Sequence, residues 1–409
     1  GVCSMSMSRL EEKAKKALDK KAALGTDIDI ESYDSESEDF GEIEALEMLP
    51  EDIQTAAVNA GVSLSGESAG DYFQVDQSAV HRGSSMEGIE VMDIGAALKE
   101  HSYLEDYFWK LVPIDTDKYT ADVGMHPQAG YFIRAKPGTK TIFPLKTCLF
   151  MGGKNKRQRV HNVVIAEEGS DLHIITGCTT PSHAGKGLHL GVSEVYVKKN
   201  AHVTFTMVHN WGEEVEVRPR GASRIDAGGS ISENYITLTP VKSLQAFPTA
   251  TLVGEGAVAS FNTIMYARRG NIDIGNQTVL AAPHTSAESI SRVVSTGGEI
   301  INRGRMVGKV PDIRAHVECV GLILTEKGRI YSIPELDGWC GGLDMSHEAA
   351  VGKISQVELE YLMARGLSTD EATSVIVRGF LDVEIKGLPP ALKEEIQKIT
   401  KLEEIYGGS

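Results

Sequence analysis

A histidine and a glutamate that could bind a metal stand side by side at positions 347 and 348, in the stretch DMSHEAAVGKIS. In H-E-x-x-H zinc peptidases, two histidines on one helix face hold the metal and the glutamate acts as the base. Position 351 is valine here, so the second histidine is missing and this class of enzyme is excluded. Two interpretations remain: His347 and Glu348 begin an ordinary helix, or they are half of a metal site whose other half lies upstream.

Cysteine is the other residue type in this sequence that could carry metal or redox chemistry. The cysteines form no C-x-x-C pair, and their low, odd number fits neither a disulfide framework nor a self-contained zinc site. One of them, Cys319, lies in a strand-like run, where a lone cysteine is usually an inert buried hydrophobe. Composition alone therefore assigns no function to any of the five, which are Cys3, Cys148, Cys178, Cys319 and Cys340.

Three further patterns resemble ligand sites but are better explained as structure. GEGAVA at 254–259 satisfies a dinucleotide-binding pattern, yet the strand-like segment after it provides no helix N-terminus for a pyrophosphate. The basic group within 154–159 is typical of a solvated loop. Six histidines fall in the range 161–209 without metal-ligand spacing, which favours ordinary structural roles.

The overall charge and hydropathy limit the kinds of partner that the chain could have. The net charge of −16 argues against a nucleic-acid partner, because phosphate binding needs a basic face. No run of about 18 apolar residues is present, so we expect no membrane span. The first residues also lack an apolar signal core. With 41% hydrophobic and 24% charged residues, we expect a globular protein in a reducing, cytoplasmic compartment.

Helix-like patterns dominate residues 1–112. The segment SRLEEKAKKALDKKAALG has apolar residues on one helix face and stops at Gly25, and two more helical patterns follow. The segment 27–52 contains twelve acidic and no basic residues, which is typical of a solvated connector. We therefore predict a mostly helical N-terminal region that contains this acidic connector.

Residues 113–344 have a different sequence pattern, in which short runs of β-branched residues are interrupted by glycine and asparagine. Turn-plus-strand units recur roughly every 30 residues, and an extra turn at Gly270 splits the one interval that is clearly longer. Such a period without intervening helices favours a parallel β-solenoid, with a β-sandwich as the alternative. The predicted fold class is mainly β. The unit markers are Gly169, Asn200, Gly229, Gly256, Gly298 and Gly328.

Residues 345–409 are predicted to be helical again. SQVELEYLMARG has apolar residues at helical spacing, and STDEATSVIVRGF opens with a capping box of Ser368 and Glu371. LPPALKEEIQKITKLEEIYG is a third helical pattern. A solenoid would otherwise expose an unpaired edge, so helices at both ends can be explained as caps.

Together these stretches resemble the SufB/SufD family, the scaffold proteins of Suf iron–sulfur cluster assembly. The resemblance covers about 87–385 and implies a right-handed parallel β-helix between helical N- and C-terminal parts. Its C-terminal pattern is similar to the SufB form, whereas SufD chains usually carry H-G-A in place of H-E-A. The segments that carry the resemblance are EGIEVMDIGAALKEHSYLEDYFWKLVP, GCTTPSHAGKGLHLGVSEVYVKKNAHVTFTMVHNW, NIDIGNQTVLAAPHTSAESISRVVSTGGEIINRG and HEAAVGKISQVELEYLMARGLSTDEATSVIVRGF.

The resemblance implies a nascent, transient iron–sulfur cluster bound by Cys319 and Glu348. In SufB-type proteins the assembly cysteine precedes the glutamate of H-E-A by the same separation that lies between these two positions here. A thiolate is the soft ligand that iron–sulfur units require, and a carboxylate is a weaker ligand that is easily exchanged. His347 is expected to orient Glu348 or to cap a helix, with metal binding as the alternative.

Two departures from the family pattern bear on assembly. In a B–D heterodimer the D subunit supplies a histidine near the position of Cys319, so the chain is expected to form a homodimer or to pair with a SufD-like subunit. His316 is a weak substitute for that histidine. The sulfur-receiving cysteine of SufB corresponds here to Ile225, so either sulfur arrives otherwise, at Cys319 or as sulfide, or the protein is not a full SufB equivalent. Cys340 is the favoured accessory thiol.

The C-terminal helices of the family dock SufC, an ABC-type ATPase. No G-x-x-x-x-G-K-[ST] occurs in this sequence, so ATP hydrolysis must come from that partner and the chain is expected to be a scaffold rather than an enzyme. A flavin is expected only in a full complex, and apo iron–sulfur proteins are the expected recipients. The residues assigned to docking are Tyr361, Leu362, Arg365, Gly366, Gly379 and Phe380.

The competing interpretation is an architectural subunit without a cluster site of its own, which the missing upstream cysteine favours. A β-helix carbohydrate enzyme is disfavoured, because the sequence lacks clustered acidic residues on one solenoid face, aromatic sugar platforms and a secretory signal.

Overall fold

The computed structural model describes residues 2–35, 40–126, 128–181 and 184–381, with side chains from residue 8 onward. The helices in these ranges are α1 (Val2–Ala17), α2 (Glu51–Asn59), α3 (Ile94–Glu100), α4 (Lys118–Met125), α5 (Gln356–Met363) and α6 (Thr369–Leu381). Three short 3-10 turns, Ile30–Ser32, Leu46–Met48 and Ser102–Asp106, accompany them. No helix in the described ranges is long and apolar enough to cross a bilayer.

Most strands belong to a parallel β-solenoid of about eight turns, which confirms the predicted fold class. Its first strands are β1 (Gly70–Val75), β2 (Ser78–Ser84), β3 (Ile89–Asp93), β4 (Tyr131–Ala135), β5 (Leu145–Phe150), β6 (Lys156–Ala166), β7 (Asp171–Thr179), β8 (Gly187–Val197), β9 (His202–Asn210), β10 (Val215–Val217) and β11 (Arg220–Ile225). The remaining strands are β12 (Ser230–Thr237), β13 (Ser243–Ala246), β14 (Thr249–Leu252), β15 (Val258–Ala267), β16 (Asn271–Leu280), β17 (Ser286–Ser295), β18 (Glu299–Gly308), β19 (Ile313–Ile323), β20 (Arg329–Gly338) and β21 (Leu343–Lys353).

The strands stack into two walls that face each other across the core. One wall runs β2-β1-β5-β7-β9-β12-β15-β17-β19-β21, and the other contains β3, β4, β6, β8, β10, β11, β13, β14, β16, β18 and β20. Asn234 aligns with Asn262, an advance of 28 in residue number, whereas His316 aligns with Ser346 in the last rung, an advance of 30. The predicted period near 30 is therefore the rung length, and parallel pairing excludes the sandwich.

The N-terminal region differs from the mostly helical prediction for residues 1–112, because it contributes three strands. β1 and β2 form an antiparallel hairpin around Asp76, which has a positive φ of 49°, and β3 pairs antiparallel with β4. These strands pair with the first solenoid rungs at β5 and β6 through β1 and β4. Five of the six residues in GDYFQV are buried, so this strand lacks the apolar–polar alternation that would have revealed it between segments with helical periodicity.

The acidic segment 27–52 packs against the solenoid over part of its described length instead of forming a solvated connector. Ile28, Ile30 and Tyr33 are buried, and the hydroxyl of Tyr33 donates to the Glu216 carboxylate. Asp27 pairs with Lys118 of α4 at 2.6 Å. Apolar residues alternate with the acids in IDIES, so one side of the segment faces the protein while the carboxylates face outward.

Glu194 of β8 holds the segment 109–112 on the solenoid. Its two carboxylate oxygens accept the four backbone N–H groups of this segment at 2.5 to 3.1 Å, and the Nε2 atom of His161 lies 2.8 Å away. Both side chains are fully buried. A buried carboxylate is tolerable only with such full pairing, so Glu194 connects the N-terminal region to the core.

The C-terminal end differs from the prediction that helix begins after Asp344. HEAAV lies in β21, which extends to Lys353, and the first helix begins at Gln356. α6 packs its Val377 and Leu381 on the outer side of the solenoid instead of capping its end. The third predicted helix, 388–407, lies outside the described residues. Within the described chain the last rung is consequently left uncovered.

Candidate metal centre

Cys319 points into the solenoid core from β19, one rung before the last. Its side chain is 1% exposed, with Ser291 beside it in β17 and Ala349 beside it in β21. Burial raises the pKa of its thiol, and Ser291 offsets this effect only in part. The thiol is therefore protonated and shielded as long as the last rung stays in place.

A glycine on the facing wall makes room for Val317, the inward-facing residue next to Cys319 on β19. A Cβ atom on Gly304 of β18 would lie 2.5 Å from Cγ1 of Val317 and 3.6 Å from Sγ of Cys319. Ser291 donates to the amide oxygen of Asn302 at 2.8 Å, which fixes the polar neighbour of the thiol. Sequence patterns did not single out these residues, although stepping back one period from Cys319 leads to the neighbourhood of Ser291.

Glu348 lies on β21 with its side chain exposed on the outer face of the same wall. It aligns with Glu318, whose carboxylate pairs with Arg292 at 2.5 Å. The strand neighbour of Cys319 is Ala349, so Glu348 lies one position away from that neighbour. Because successive strand residues face opposite sides, the chain by itself does not bring the thiol of Cys319 and the carboxylate of Glu348 together.

The two histidine candidates are likewise divided between the faces. His347 aligns with Val317 and alternates with Met345, which packs against the core, so it belongs to the same face as Cys319. It is exposed because no rung follows β21 in the described chain. His316 belongs to the outer face, where its Nδ1 lies 2.8 Å from the hydroxyl of Ser346. The inner face thus offers Cys319 and His347, and the outer face offers Glu348 and His316.

This arrangement is an incomplete ligand set within one chain. Across the described residues, no three His, Cys, Asp or Glu side chains are grouped closely enough to hold a metal ion. A thiol and an imidazole on the inner face can supply soft and borderline ligands, and the neighbouring carboxylate can supply a hard one. Further ligands must come from another molecule or from a movement of the last strand.

The end of the solenoid at this site is open. β20 pairs only with β18, and β21 is the last strand of its wall, so the outer backbone edges of both strands lack a neighbouring strand within the described chain. Exposed unpaired edges are templates for pairing with another chain. The edge also carries exposed apolar side chains, which are Tyr331, Leu336, Trp339 and Val351.

The other cysteines lie away from this ligand set or at its rim. Cys148 and Cys178 are buried in the first rungs, where burial raises the pKa of both thiols. Cys340 is exposed in the turn between β20 and β21. The side chain of Cys3 lies outside the described residues. Ile225, at the position of the family's sulfur-receiving cysteine, is buried in the core.

The residues assigned to ATPase docking lie on α5 and α6. Tyr361 is 58% exposed with the guanidinium of Arg365 4.6 Å from its ring centre, and Gly366 ends the first helical segment with a φ of 99°. Gly379 is exposed, whereas Leu362 and Phe380 are half-buried. Further exposed apolar side chains on these helices are Val357, Met363 and Val375.

Comparison with known proteins agrees with the resemblance. A family model described as the SufBD core domain of the SUF system for FeS cluster assembly matches residues 149–380. An iron–sulfur cluster assembly SufBD family protein of Methanothermobacter thermautotrophicus is 45% identical over 95% of this chain and 97% of its own length. Proteins of the same description from Archaeoglobus fulgidus and Staphylococcus epidermidis are 48% and 32% identical, over 82% and 84% of this chain and 90% and 74% of their own lengths. The chain therefore belongs to the SufBD family of iron–sulfur cluster assembly proteins.

Proposed function

We propose that this protein is a scaffold, not an enzyme, on which a nascent iron–sulfur cluster is built where the open ends of two copies meet. The cluster is cargo and leaves for apo recipient proteins. The observation that carries the proposal is the position of Cys319, whose thiol lies one rung beneath an uncovered solenoid end. The family membership supports the cargo, and the cytoplasm is the compartment that keeps such thiols reduced.

The open end supports a homodimer in particular. Among the described residues both walls end there in strands with one unpaired edge and with exposed apolar side chains, and a second copy presents the same surface, as a two-fold interface requires. A SufD-like subunit with a similar end is the alternative partner. Either one would cover the exposed face of His347 and bring a second set of ligands to the rim.

The proposed cluster ligands are assigned according to the inner and outer faces of the wall that contains β19 and β21. Cys319 and His347 serve the cluster from the inner face of one copy, and Glu348 approaches from the other copy, because its own chain directs it outward. His316 takes part only from the outer face. Thiolate holds the iron firmly, and the carboxylate is the labile ligand that permits transfer.

A SufC-type ABC ATPase bound to α5 and α6 would control access to the thiol. α5 begins shortly after β21 ends, and β21 is the strand that covers Cys319. A pull on the helices is therefore transmitted to β21, and its displacement would expose the thiol, lower its pKa and permit metal binding. A flavin belongs to this proposal only as a component of a full complex.

Anaerobic reconstitution with iron and sulfide tests the ligands, with cluster absorbance and bound iron as the readout. We expect Cys319→Ala to abolish cluster uptake, and Glu348→Ala and His347→Ala to reduce it several-fold, while Cys148→Ala, at a buried thiol of the first rungs, serves as the matched control and keeps full uptake. Equal uptake by wild type, Cys319→Ala and Glu348→Ala would contradict the ligand assignment. That result would favour the architectural subunit without a cluster site. The presence of Ile225 at the position of the family's sulfur-receiving cysteine also supports this alternative.

The ATPase partnership has a separate test. Co-purification with a SufC-type ATPase should be lost when the chain is truncated before Ser355 and should be weakened by Tyr361→Ala. Retention of the ATPase by the truncated chain would place the docking surface elsewhere.

A further inference from the structure

One wall of the solenoid is interrupted in two successive rungs. β10 and β11 are separated at Arg218 and Pro219, and β13 and β14 at Phe247 and Pro248, whereas the flanking strands β8 and β16 run through unbroken. Proline has no N–H to contribute to a strand ladder, which explains the interruption at both positions. Pro219, Phe247 and Pro248 are partly exposed, so the wall has a local gap.

A cavity of about 80 Å³ lies behind this gap, with Pro219 and Pro248 in its lining. One water needs roughly 10–15 Å³ on the same measure, so the space suits a small organic molecule. Most of the walls are apolar, and the side chains that form them include Val195, Phe205, Met207, Ala246, Phe261 and Ile274.

The cavity contains one carboxyl group that lacks a cationic partner. Glu233 of β12 aligns with Phe205 in the preceding rung and Phe261 in the following rung, and all three line the cavity. Adjacent strands are about 4.8 Å apart, so the carboxyl group is flanked by two phenyl rings. The side-chain oxygen of Asn276, also in the lining, is buried and has no hydrogen-bond partner.

The other charged or titratable side chains in the lining are Arg220 and Tyr235, and both have partners outside the cavity, although Nη2 of Arg220 is buried without a hydrogen-bond partner. Nε of Arg220 donates to the carboxylate of Asp117 at 2.7 Å, and the hydroxyl of Tyr235 lies 2.6 Å from Nδ1 of His209. Burial raises the pKa of Glu233 to about 7, and the nearby hydroxyl of Ser223 lowers it only in part, without a well-formed hydrogen bond. Near neutral pH the carboxyl group is consequently about half ionised.

We propose that this cavity binds a small organic ammonium ion, with an alkyl body of about four carbons. The carboxylate of Glu233 would pair with the ammonium group, the flanking rings would add cation–π attraction, and the free oxygen of Asn276 would accept a second N–H. The apolar walls require the alkyl body and disfavour a bare metal cation, which needs more oxygen ligands than these two groups offer.

Calorimetric titration of the intact chain with isobutylammonium, and with isobutanol as the uncharged control, tests the proposal. The ammonium ion binds the ionised carboxylate, whose fraction rises between pH 6 and pH 8 because burial raises the pKa of Glu233 to about 7. The affinity should therefore be severalfold higher at pH 8 than at pH 6, and isobutanol should bind more weakly without pH dependence.

Two variants locate the binding in this cavity. Glu233→Gln should remove the pH dependence and weaken binding at pH 8 at least tenfold, whereas Phe261→Leu should weaken it a few-fold and keep the pH dependence. Thermal unfolding of both variants checks that they fold. If one does not fold, the comparison of the wild-type affinity at pH 6 and pH 8 tests the proposal. Absence of heat up to about 10 mM ligand, equal binding of isobutanol, or unchanged binding by Glu233→Gln would overturn the proposal.

Discussion

At the scale of single residues, the packing of Val317, the inward-facing neighbour of Cys319, depends on the absence of a side chain at Gly304. Gly304 faces Val317 and Cys319 from the other wall, and the core there is closed by side chains from β17, β18 and β19. Close-packed interiors accommodate extra atoms poorly, so a side chain at position 304 would displace Val317.

Gly304→Ala is predicted to destabilise the fold by about 1–3 kcal/mol, the usual cost of an overpacked core. The added methyl group would lie 2.5 Å from Cγ1 of Val317, so this side chain must move. Denaturant unfolding measures the loss. Gly379→Ala is the matched control, because nothing lies within 4 Å of its added Cβ in α6, and it should be neutral or stabilising by up to about 1 kcal/mol. Equal midpoints for Gly304→Ala and wild type would show that the facing space is not needed.

At the scale of elements, one carboxylate joins the N-terminal region to the solenoid. Glu194 accepts four consecutive backbone N–H groups from 109–112, where Trp109 has a positive φ of 56°. That segment leads into α4, whose Asp122 pairs with Arg157 and Arg159 of β6. The buried charges on both sides are compensated across the junction, so loss of one partner leaves the others unpaired.

Glu194→Gln is predicted to lower the free energy of unfolding by about 2–4 kcal/mol. An amide has one acceptor oxygen instead of two, and its own N–H groups would face the backbone N–H donors of 109–112. Hydrogen exchange should accelerate first in residues 107–114, while the distant rungs β17 to β19 stay protected. Glu168→Gln is the matched control, since Glu168 is 64% exposed and lies 3.9 Å from Lys199. Uniform loss of protection, or no loss, would contradict a local connection by Glu194.

The solenoid could be predicted from sequence because each rung repeats its turn residues at nearly constant spacing. The N-terminal hairpin could not, since β1 and β2 are short and lie between segments with helical periodicity. The candidate site shows the limit most clearly. The spacing of Cys319 and Glu348 matched the family pattern, but only the register of the last rung reveals that their side chains leave opposite faces. A shift of one residue in the strand register moves a side chain to the opposite face of the wall. The average period of the repeat does not give the length of one particular rung, so it does not predict this register.

At the scale of the whole molecule, the two ends of the solenoid differ in exposure: β2 and β3 at the first end are mostly buried or half-buried, whereas β20 and β21 at the last end are largely exposed. The β1–β2 hairpin and β3 occupy the first end, while β20 and β21 end the described walls with unpaired edges. Natural proteins usually cover or charge such edges, because they invite pairing with other chains. The proposed function uses this asymmetry: the covered end is structural, and the open end is where a second copy joins.

Val351→Lys, at the open end, is therefore predicted to convert the protein from a dimer to a monomer. Val351 is 42% exposed on β21, and a lysine there would place a charge inside the proposed interface, where its desolvation opposes association. Light scattering coupled to size exclusion measures the mass, which should fall from twice 44.2 kDa to 44.2 kDa. Ile142→Lys is the matched control, because Ile142 is 75% exposed near the covered end, so its replacement should leave the dimer intact. A wild-type mass of one chain, or equal masses for both variants, would mean that the open end does not join two copies. Monomeric Val351→Lys should also lose cluster uptake although Cys319 is unchanged, because the second copy supplies the remaining ligands.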